Sequence, residues 1–160
     1  MQDLAARIQR LEDIEAIRQL KAEYCEICDD DHNPDRIVTI FTQDGVWEGR
    51  GIGKAEGHAA IRKLFLQFQS MMSFTQHMTM NPRITVDGDT AQGSWYFFGP
   101  FTFYEGNQAK WQAARYQETY RRENGVWKIA HLLIKSPTMI ADYEKGWASK
   151  TRNKKPTVPS

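Results

Sequence analysis

The sequence predicts one α+β domain in which N-terminal helices pack on one face of a curved, mainly antiparallel sheet. Apolar residues recur at three- and four-residue intervals in the first part of the chain, which is the helical period. After residue 74 they recur at every second residue, which is the strand period. Asp87-Gly88 and Asn124-Gly125 are strong hairpin signals and divide this second part into long strands.

Helices are predicted over residues 3–29, 34–41 and 57–72. Asn33 and Pro34 favour the start of the second helix, as its N-cap and its first helical residue. The first helix contains no Gly or Pro, and its apolar stripe consists of Leu4, Ile8, Leu11, Ile14, Ile17, Leu20, Tyr24 and Ile27.

Strands are predicted at residues 46–48, 74–86, 90–104, 110–123 and 126–136. A last short helix is predicted at 138–148. Residues 149–160 are polar and contain two prolines, so we expect a loose tail after a single domain at 1–148.

Composition excludes several classes of protein. The 21 basic and 20 acidic residues give a net charge of +1, so no strong field attracts nucleic acid or a membrane surface. No apolar run approaches the roughly twenty residues of a membrane-spanning helix, and the N-terminus lacks a signal-peptide core. With two cysteines a disulfide scaffold is excluded, and we expect a cytoplasmic protein.

No metal, nucleotide or other cofactor is expected. Cys25 and Cys28 lie in the middle of a predicted helix without a second cysteine pair, which favours two small buried residues over a zinc or redox site. The contiguous acids 29–31 with His32 are poorly spaced for closed metal coordination. The glycine-rich segment 49–53 lacks the strand-to-helix context of a phosphate loop.

Two segments, LEDIEAIRQLKAEYCEICDDDHNPDRIVTIFTQDGVWEG and YQETYRRENGVWKIAH, resemble the opening helices and the closing hairpin of the SnoaL-like family in the nuclear transport factor two-like superfamily. The resemblance covers roughly residues 5–136 and implies a cone-shaped α+β barrel that encloses a pocket. Scytalone dehydratase, bile-acid dehydratase and hexachlorocyclohexane dehydrochlorinase in this family use an Asp–His dyad. The resemblance places that dyad on Asp29 and His77, and a further catalytic tyrosine on Tyr24.

The chemistry of an elimination suits these residue types. A histidine takes and returns protons near neutral pH, and a carboxylate behind it fixes its tautomer and stabilises the imidazolium. Thr75, His77 and Thr79 share one face of a predicted strand, as expected for a polar pocket wall. Taken singly, Asp29 is better interpreted as a solvated or capping acid and His77 as a structural histidine; the resemblance and their joint placement favour the catalytic interpretation.

The aromatic residues make up 12% of the chain and predict a large pocket. Its expected walls are Trp47, Phe68, Met72, Tyr96, Phe98, Tyr116 and Leu132. Leu132 stands where the resemblance implies the arginine of the dehydrochlorinase, which argues against halide-assisting chemistry. The opposite face of the strands, with Trp95, Phe97 and Trp111, is expected to be an exposed contact surface of a homo-oligomer. The resemblance implies a trimer rather than a dimer.

These observations predict a cofactor-independent lyase that acts in aromatic compound catabolism. The expected reaction is dehydration of an aromatic or polycyclic alcohol, or release of another small group such as formaldehyde. Two alternatives stay open: an isomerase of the ketosteroid type, and a non-catalytic small-molecule binding domain in which Asp29 and His77 do not meet.

Overall fold

The computed structural model describes residues 3–144. Its three helices are α1 (Leu4–Asp29), α2 (Pro34–Ile37) and α3 (Gly57–Met71). Its seven strands are β1 (Phe41–Gly49), β2 (Gly53–Glu56), β3 (Met72–Thr75), β4 (Met78–Asp87), β5 (Thr90–Phe103), β6 (Gln108–Glu123) and β7 (Val126–Asp142). Short 3-10 turns at Val38–Ile40 and Glu105–Asn107 follow α2 and β5.

All seven strands belong to one strongly curled sheet in the order β2-β1-β7-β6-β5-β3, with β4 also paired to β5. β1 and β7 are parallel, and every other pair among these strands is antiparallel. Helices α1 and α3 pack on one side of this sheet. The predicted α+β cone, with helices on a curved and mainly antiparallel sheet, is therefore confirmed.

Only the second half of α1 reaches the core. Ile17 and Ile27 are fully buried, whereas Leu4, Ile8 and Leu11 on the first turns remain exposed. The apolar stripe read from the sequence thus continues beyond the sheet that could cover it. None of the helices within residues 3–144 is long and apolar enough to cross a membrane.

The predicted strand at 74–86 is interrupted at Gln76 and His77, which separate β3 from β4. Both strands pair with the long strand β5, and the gap between them lies opposite Gly99 and Pro100. A β-carbon at Gly99 would stand only 1.9 Å from the carbonyl oxygen of Gln76. Glycine therefore permits a close backbone approach that places His77 at the edge of the sheet interior.

The expected inward and outward faces of β5 are reversed in the structure. Trp95 and Phe97 are buried under the helices, while Tyr96 points outward beneath the guanidinium of Arg115, 3.6 Å from its ring centroid. Phe98 also lies outside, stacked on Trp111. Alternation could not identify the inner face because both faces of this strand carry aromatic residues.

At the C-terminal end the prediction of a helix from residue 138 is wrong, because β7 continues to Asp142. The additional residues pair with the first half of β6, where Lys110 is opposite Asp142 and Gln112 is opposite Ile140. A long neighbouring strand supplies hydrogen-bond partners that a local pattern does not reveal. The end of the predicted helix and the predicted tail lie outside the described residues.

Candidate active site

A cavity of about 400 Å³ opens between α1, α3 and the inner face of the sheet. Its walls are mostly apolar and aromatic, with a few polar groups that converge from α1 and the β3–β4 gap. The aromatic and aliphatic lining includes Trp47, Phe65, Phe68, Met72, Phe97, Phe101 and Ile134. The polar lining includes Tyr24, Cys28, His32, Arg50, His77, Gln112 and Tyr116.

Asp29 and His77 form a hydrogen-bonded pair on the wall of this cavity. His77 Nδ1 lies 2.7 Å from Asp29 Oδ1, and the backbone N–H of His77 donates to both carboxylate oxygens at 3.0 and 2.9 Å. The hydroxyl of Thr75 donates to the Cys28 carbonyl at 3.1 Å and ties β3 to the end of α1. These contacts fix the carboxylate and the imidazole in one orientation.

The contact between Asp29 and His77 leaves the Nε2 nitrogen of the His77 ring available. Because a carboxylate only accepts hydrogen bonds, Nδ1 carries the proton and Nε2 retains its lone pair when the ring is neutral. Nε2 has no partner among the described residues, and His77 lines the cavity. This arrangement provides an oriented general base with a carboxylate behind it.

His77 is held neutral by its surroundings. Only 7% of its side chain is exposed, and its ring lies 5.2 Å from Phe97 and 5.0 Å from Phe101, measured between centroids. Burial lowers the pKa of His77 below its ordinary value, although the Asp29 carboxylate acts in the opposite direction. A neutral imidazole at neutral pH is the form that accepts a proton.

Tyr24 lies one helical turn before Cys28, on the face of α1 that borders the cavity. Its hydroxyl accepts a hydrogen bond from Trp47 Nε1 at 3.1 Å, and burial raises the pKa of Tyr24 well above the usual value. The phenol therefore stays protonated. Asp29, five residues after Tyr24, does not itself line the cavity but contacts His77, which does, so the two residues need not share a helix face.

A second charged pair lies beneath the cavity. Lys21 Nζ is 2.5 Å from Glu118 Oε1, and neither side chain is exposed to solvent. The ammonium also lies over the rings of Tyr24 and Tyr116, 4.2 and 3.7 Å from their centroids. The second oxygen of Glu118 accepts a hydrogen bond from the hydroxyl of Tyr120.

Of the pocket walls expected from the sequence, Trp47, Phe68, Met72 and Tyr116 line the cavity. Tyr96 and Phe98 do not, because they lie on the outer face of β5. Leu132 is fully buried in the core of the sheet and also does not line the cavity.

Sequence reasoning missed several lining residues, chiefly His32, Phe97 and Phe101. The two phenylalanines follow from the correct parity of β5. His32 lies in a turn, where periodicity carries no information. Among residues 3–144 no group of three His, Cys, Asp or Glu side chains is arranged to hold a metal ion.

Comparison with known proteins agrees with this architecture. The SnoaL-like domain family matches residues 9–132. A proposed aromatic ring hydroxylase of Novosphingobium aromaticivorans is 29% identical, with a TM-score of 0.76 over 82% of this chain and 94% of the other. The hexachlorocyclohexane dehydrochlorinase LinA-type3 of Novosphingobium barchaimii is 25% identical, with a TM-score of 0.76 over 84% of this chain and 94% of the other.

A proposed scytalone dehydratase of Novosphingobium aromaticivorans has the same fold, with 21% identity and a TM-score of 0.75 over 83% of this chain and 89% of the other. The fold and the cavity define a small α+β cone of the kind found in the nuclear transport factor two-like superfamily. Within it, the chain belongs to the SnoaL-like family.

Proposed function

We propose that this protein is a cofactor-independent lyase acting on an aromatic or polycyclic alcohol. The observation that supports this most directly is the pairing of His77 with Asp29 at 2.7 Å on the wall of an aromatic cavity. A structurally similar protein is named a hexachlorocyclohexane dehydrochlorinase, and that name describes an elimination.

In a dehydration, the Nε2 lone pair of His77 takes a proton from the carbon next to an activating group. The carbon–oxygen bond breaks, a carbon–carbon double bond forms, and the imidazolium returns its proton to the departing oxygen, which leaves as water. Asp29 stabilises the intermediate imidazolium by charge and hydrogen bonding. Tyr24, protonated and at the same cavity, donates to an oxygen on which negative charge develops.

Release of formaldehyde uses the same groups in another order. His77 takes the proton of a hydroxymethyl O–H, the carbon–carbon bond breaks, and formaldehyde departs. The electron pair left on the substrate carbon then receives the proton from the imidazolium. Both versions need only one acid–base group and no cofactor, so the leaving group is decided by the substrate.

The contact between Asp29 and His77 also bears on the alternatives. The non-catalytic binding domain predicts that these side chains lie apart in a filled core, whereas they pair beside a cavity of about 400 Å³. A ketosteroid-type isomerase uses a carboxylate as its base. Here the carboxylate lies behind the imidazole, which favours histidine as the base.

The test is a substrate screen of the purified protein against a panel of aryl and steroid alcohols, including hydroxymethyl compounds. Product masses report the loss of water or of formaldehyde. We expect one such loss with wild type and none with His77→Gln, while His131→Gln, on the outer face of the sheet, remains active. Conversion that persists in His77→Gln would refute the proposed mechanism.

We further propose that the protein assembles as a homo-oligomer, preferably a trimer. Apolar residues stay exposed on two surfaces within the described part of the chain. One is the start of α1, with Leu4, Ile8 and Leu11. The other is the outer sheet face, where Trp111 stacks between Phe98 and Tyr143 and where Tyr96 is 42% exposed.

A cytoplasmic location completes the proposal. Cys25 and Cys28 are both free and buried, although they lie one helical turn apart. Free thiols persist in a reducing compartment. Because the burial of both raises their pKa values, the thiols stay protonated and unreactive.

A further inference from the structure

A second histidine projects into the cavity from the turn that follows α1. Asp31 and His32 both adopt left-handed backbone conformations, with φ of 51° and 50°. The backbone N–H of His32 donates to the Cys28 carbonyl at 3.1 Å, so the turn folds back on the last turn of α1. The turn places His32 at the cavity wall, next to Cys28.

The side chain of His32 is buried and aimed at the proposed catalytic histidine. Only 4% of the residue is exposed, and it lines the cavity. Its ring centroid lies 5.5 Å from that of Phe68, 5.9 Å from that of Phe65 and 5.9 Å from that of His77. Apart from these ring contacts, neither nitrogen of His32 has a hydrogen-bond partner within residues 3–144.

With no protein partner in the described part of the chain, the N–H and the lone pair of the His32 ring remain free to bond water or a ligand in the cavity. A purely structural residue at this place would be apolar, since two of its neighbours are phenylalanines. The left-handed backbone tolerates histidine, as it does Gly, Asn and Asp, but does not require it. Packing against the phenylalanines therefore does not explain a histidine here.

We propose that His32 is a substrate-binding residue that hydrogen-bonds an oxygen of a ligand bound in the cavity against both His32 and His77. The identity of that ligand as an aromatic alcohol rests on the proposed function. The present proposal adds His32 as a second residue that binds the ligand through a polar contact. The ligand class is an aromatic or polycyclic compound whose oxygen reaches His32 while the reacting atoms face His77.

The charge state of His32 fits a binding role rather than that of a second base. Burial and the neighbouring His77 lower its pKa to about 4, against a smaller opposing effect of Asp29. His32 is thus neutral above that pH and offers one N–H donor and one lone pair. A neutral imidazole that donates to a substrate oxygen polarises it without adding a charge to the cavity.

The experiment compares two probes of the same shape, 2-naphthol and 2-methylnaphthalene, by calorimetric titration of the full chain. His32→Phe keeps the ring and removes both nitrogens. We expect this variant to bind 2-naphthol about five- to tenfold more weakly than wild type, as for the loss of one hydrogen bond. Its affinity for 2-methylnaphthalene should change by less than about twofold, because the ring area is retained. His131→Phe, the same substitution outside the cavity, should leave both affinities unchanged.

Two controls keep the test decisive. Since phenylalanine does not favour a left-handed backbone, His32→Asn provides a second variant that suits the conformation and should lose the same preference. The ring nitrogens of His32 should also shift in ¹⁵N spectra of wild type with 2-naphthol and not with 2-methylnaphthalene.

If His32→Phe lowers the affinity for both probes equally, His32 contributes only packing and the proposal is overturned. An unchanged affinity for 2-naphthol in a folded variant would overturn it as well. These binding results do not depend on turnover. The substrate screen can therefore fail while the assignment of His32 stands, or succeed while it falls.

Discussion

Two acid–base pairs connect α1 to the rest of the fold: Lys21–Glu118 is fully buried, whereas Asp29–His77 is partly accessible. In the Lys21–Glu118 pair, Glu118 accepts from Lys21 and from Tyr120, and the hydroxyl of Tyr120 accepts from Trp95. The ammonium is enclosed by two aromatic rings. In the Asp29–His77 pair, one ring nitrogen has no partner in the described part of the chain and borders the cavity.

The difference shows that burial of a charged pair does not by itself mark a reactive site. Both pairs join α1 to later parts of the sequence, and both depend on close complementary contacts. A group that has all its hydrogen bonds inside the protein can only hold the structure together. A group with one bonding position directed at a cavity can also act on what enters that cavity.

The largest effect should come from removing the pair at the cavity. His77→Ala and Asp29→Asn are each expected to reduce turnover by about 100- to 10,000-fold, because they remove the base or its orienting carboxylate. The free energy of unfolding should change far less than it does in the Lys21 variant described below. Steady-state rates on the substrate found by screening, with unfolding curves for each variant, would measure both. Near wild-type turnover in either variant would remove the distinction between the two pairs.

The Asp29–His77 pair was predicted from the sequence only through its resemblance to the SnoaL-like family. Spacing alone left Asp29 as one of three consecutive acids and His77 as a lone strand histidine. Their meeting depends on Gly99, which admits the backbone of Gln76, and on Thr75, which binds the end of α1. Both contacts join residues far apart in the chain, so no local pattern reveals them.

Helices α1 and α3 were predicted well because both have continuous helical periodicity without an internal proline. The inner face of β5 was predicted wrongly, because Trp95 and Phe97 on one face alternate with Tyr96 and Phe98 on the other. Choosing between two aromatic faces requires knowing which one α1 covers, and that is decided by tertiary packing. His32 was overlooked for a related reason, since its direction is set by a turn.

The second effect should be on stability and concern the enclosed pair. Lys21→Met is expected to lower the free energy of unfolding by about 3–5 kcal/mol, because it leaves the Glu118 carboxylate buried without a counter-charge. Denaturant titration would measure it. Lys54→Met is the matched control: its partner Glu56 is exposed, so the free energy of unfolding should be almost unchanged.

A companion variant separates the charge from the packing. Lys21→Met combined with Glu118→Gln should recover part of the lost stability, because no isolated charge remains. A single variant as stable as the Lys54 control would show that the Lys21–Glu118 pair contributes nothing, and that the two pairs do not differ as described.

The third effect concerns pH. His32, with its pKa lowered to about 4, and His77, also lowered, bind fewer protons when folded than when unfolded. Their contribution to stability is therefore complete above the unfolded pKa of about 6.5 and is lost as pH falls toward the folded values. For His32 the loss is on the order of 3 kcal/mol at pH 4.

Unfolding curves at intervals from pH 7 to pH 4 would measure this loss, and His32→Asn should flatten the decline. A decline that is the same in wild type and in His32→Asn would contradict the assigned burial.

The smallest effect on chemistry should come from the outer face of the sheet, where neither pair has an atom. Trp111 stacks on Phe98 and Tyr143 there, with ring centroids 5.1 and 5.0 Å apart. If this face joins copies of the chain, Trp111→Lys introduces a charge that the contact must desolvate. Light scattering should then show a trimer mass for wild type and a smaller mass for the variant. The variant should retain the 2-naphthol affinity of wild type, because the cavity lies on the opposite face.

A monomer mass for wild type at micromolar concentration would refute the proposed assembly, and a dimer mass would refute the trimer. A variant with a smaller mass that also fails to bind 2-naphthol would show that the cavity depends on the contact between copies.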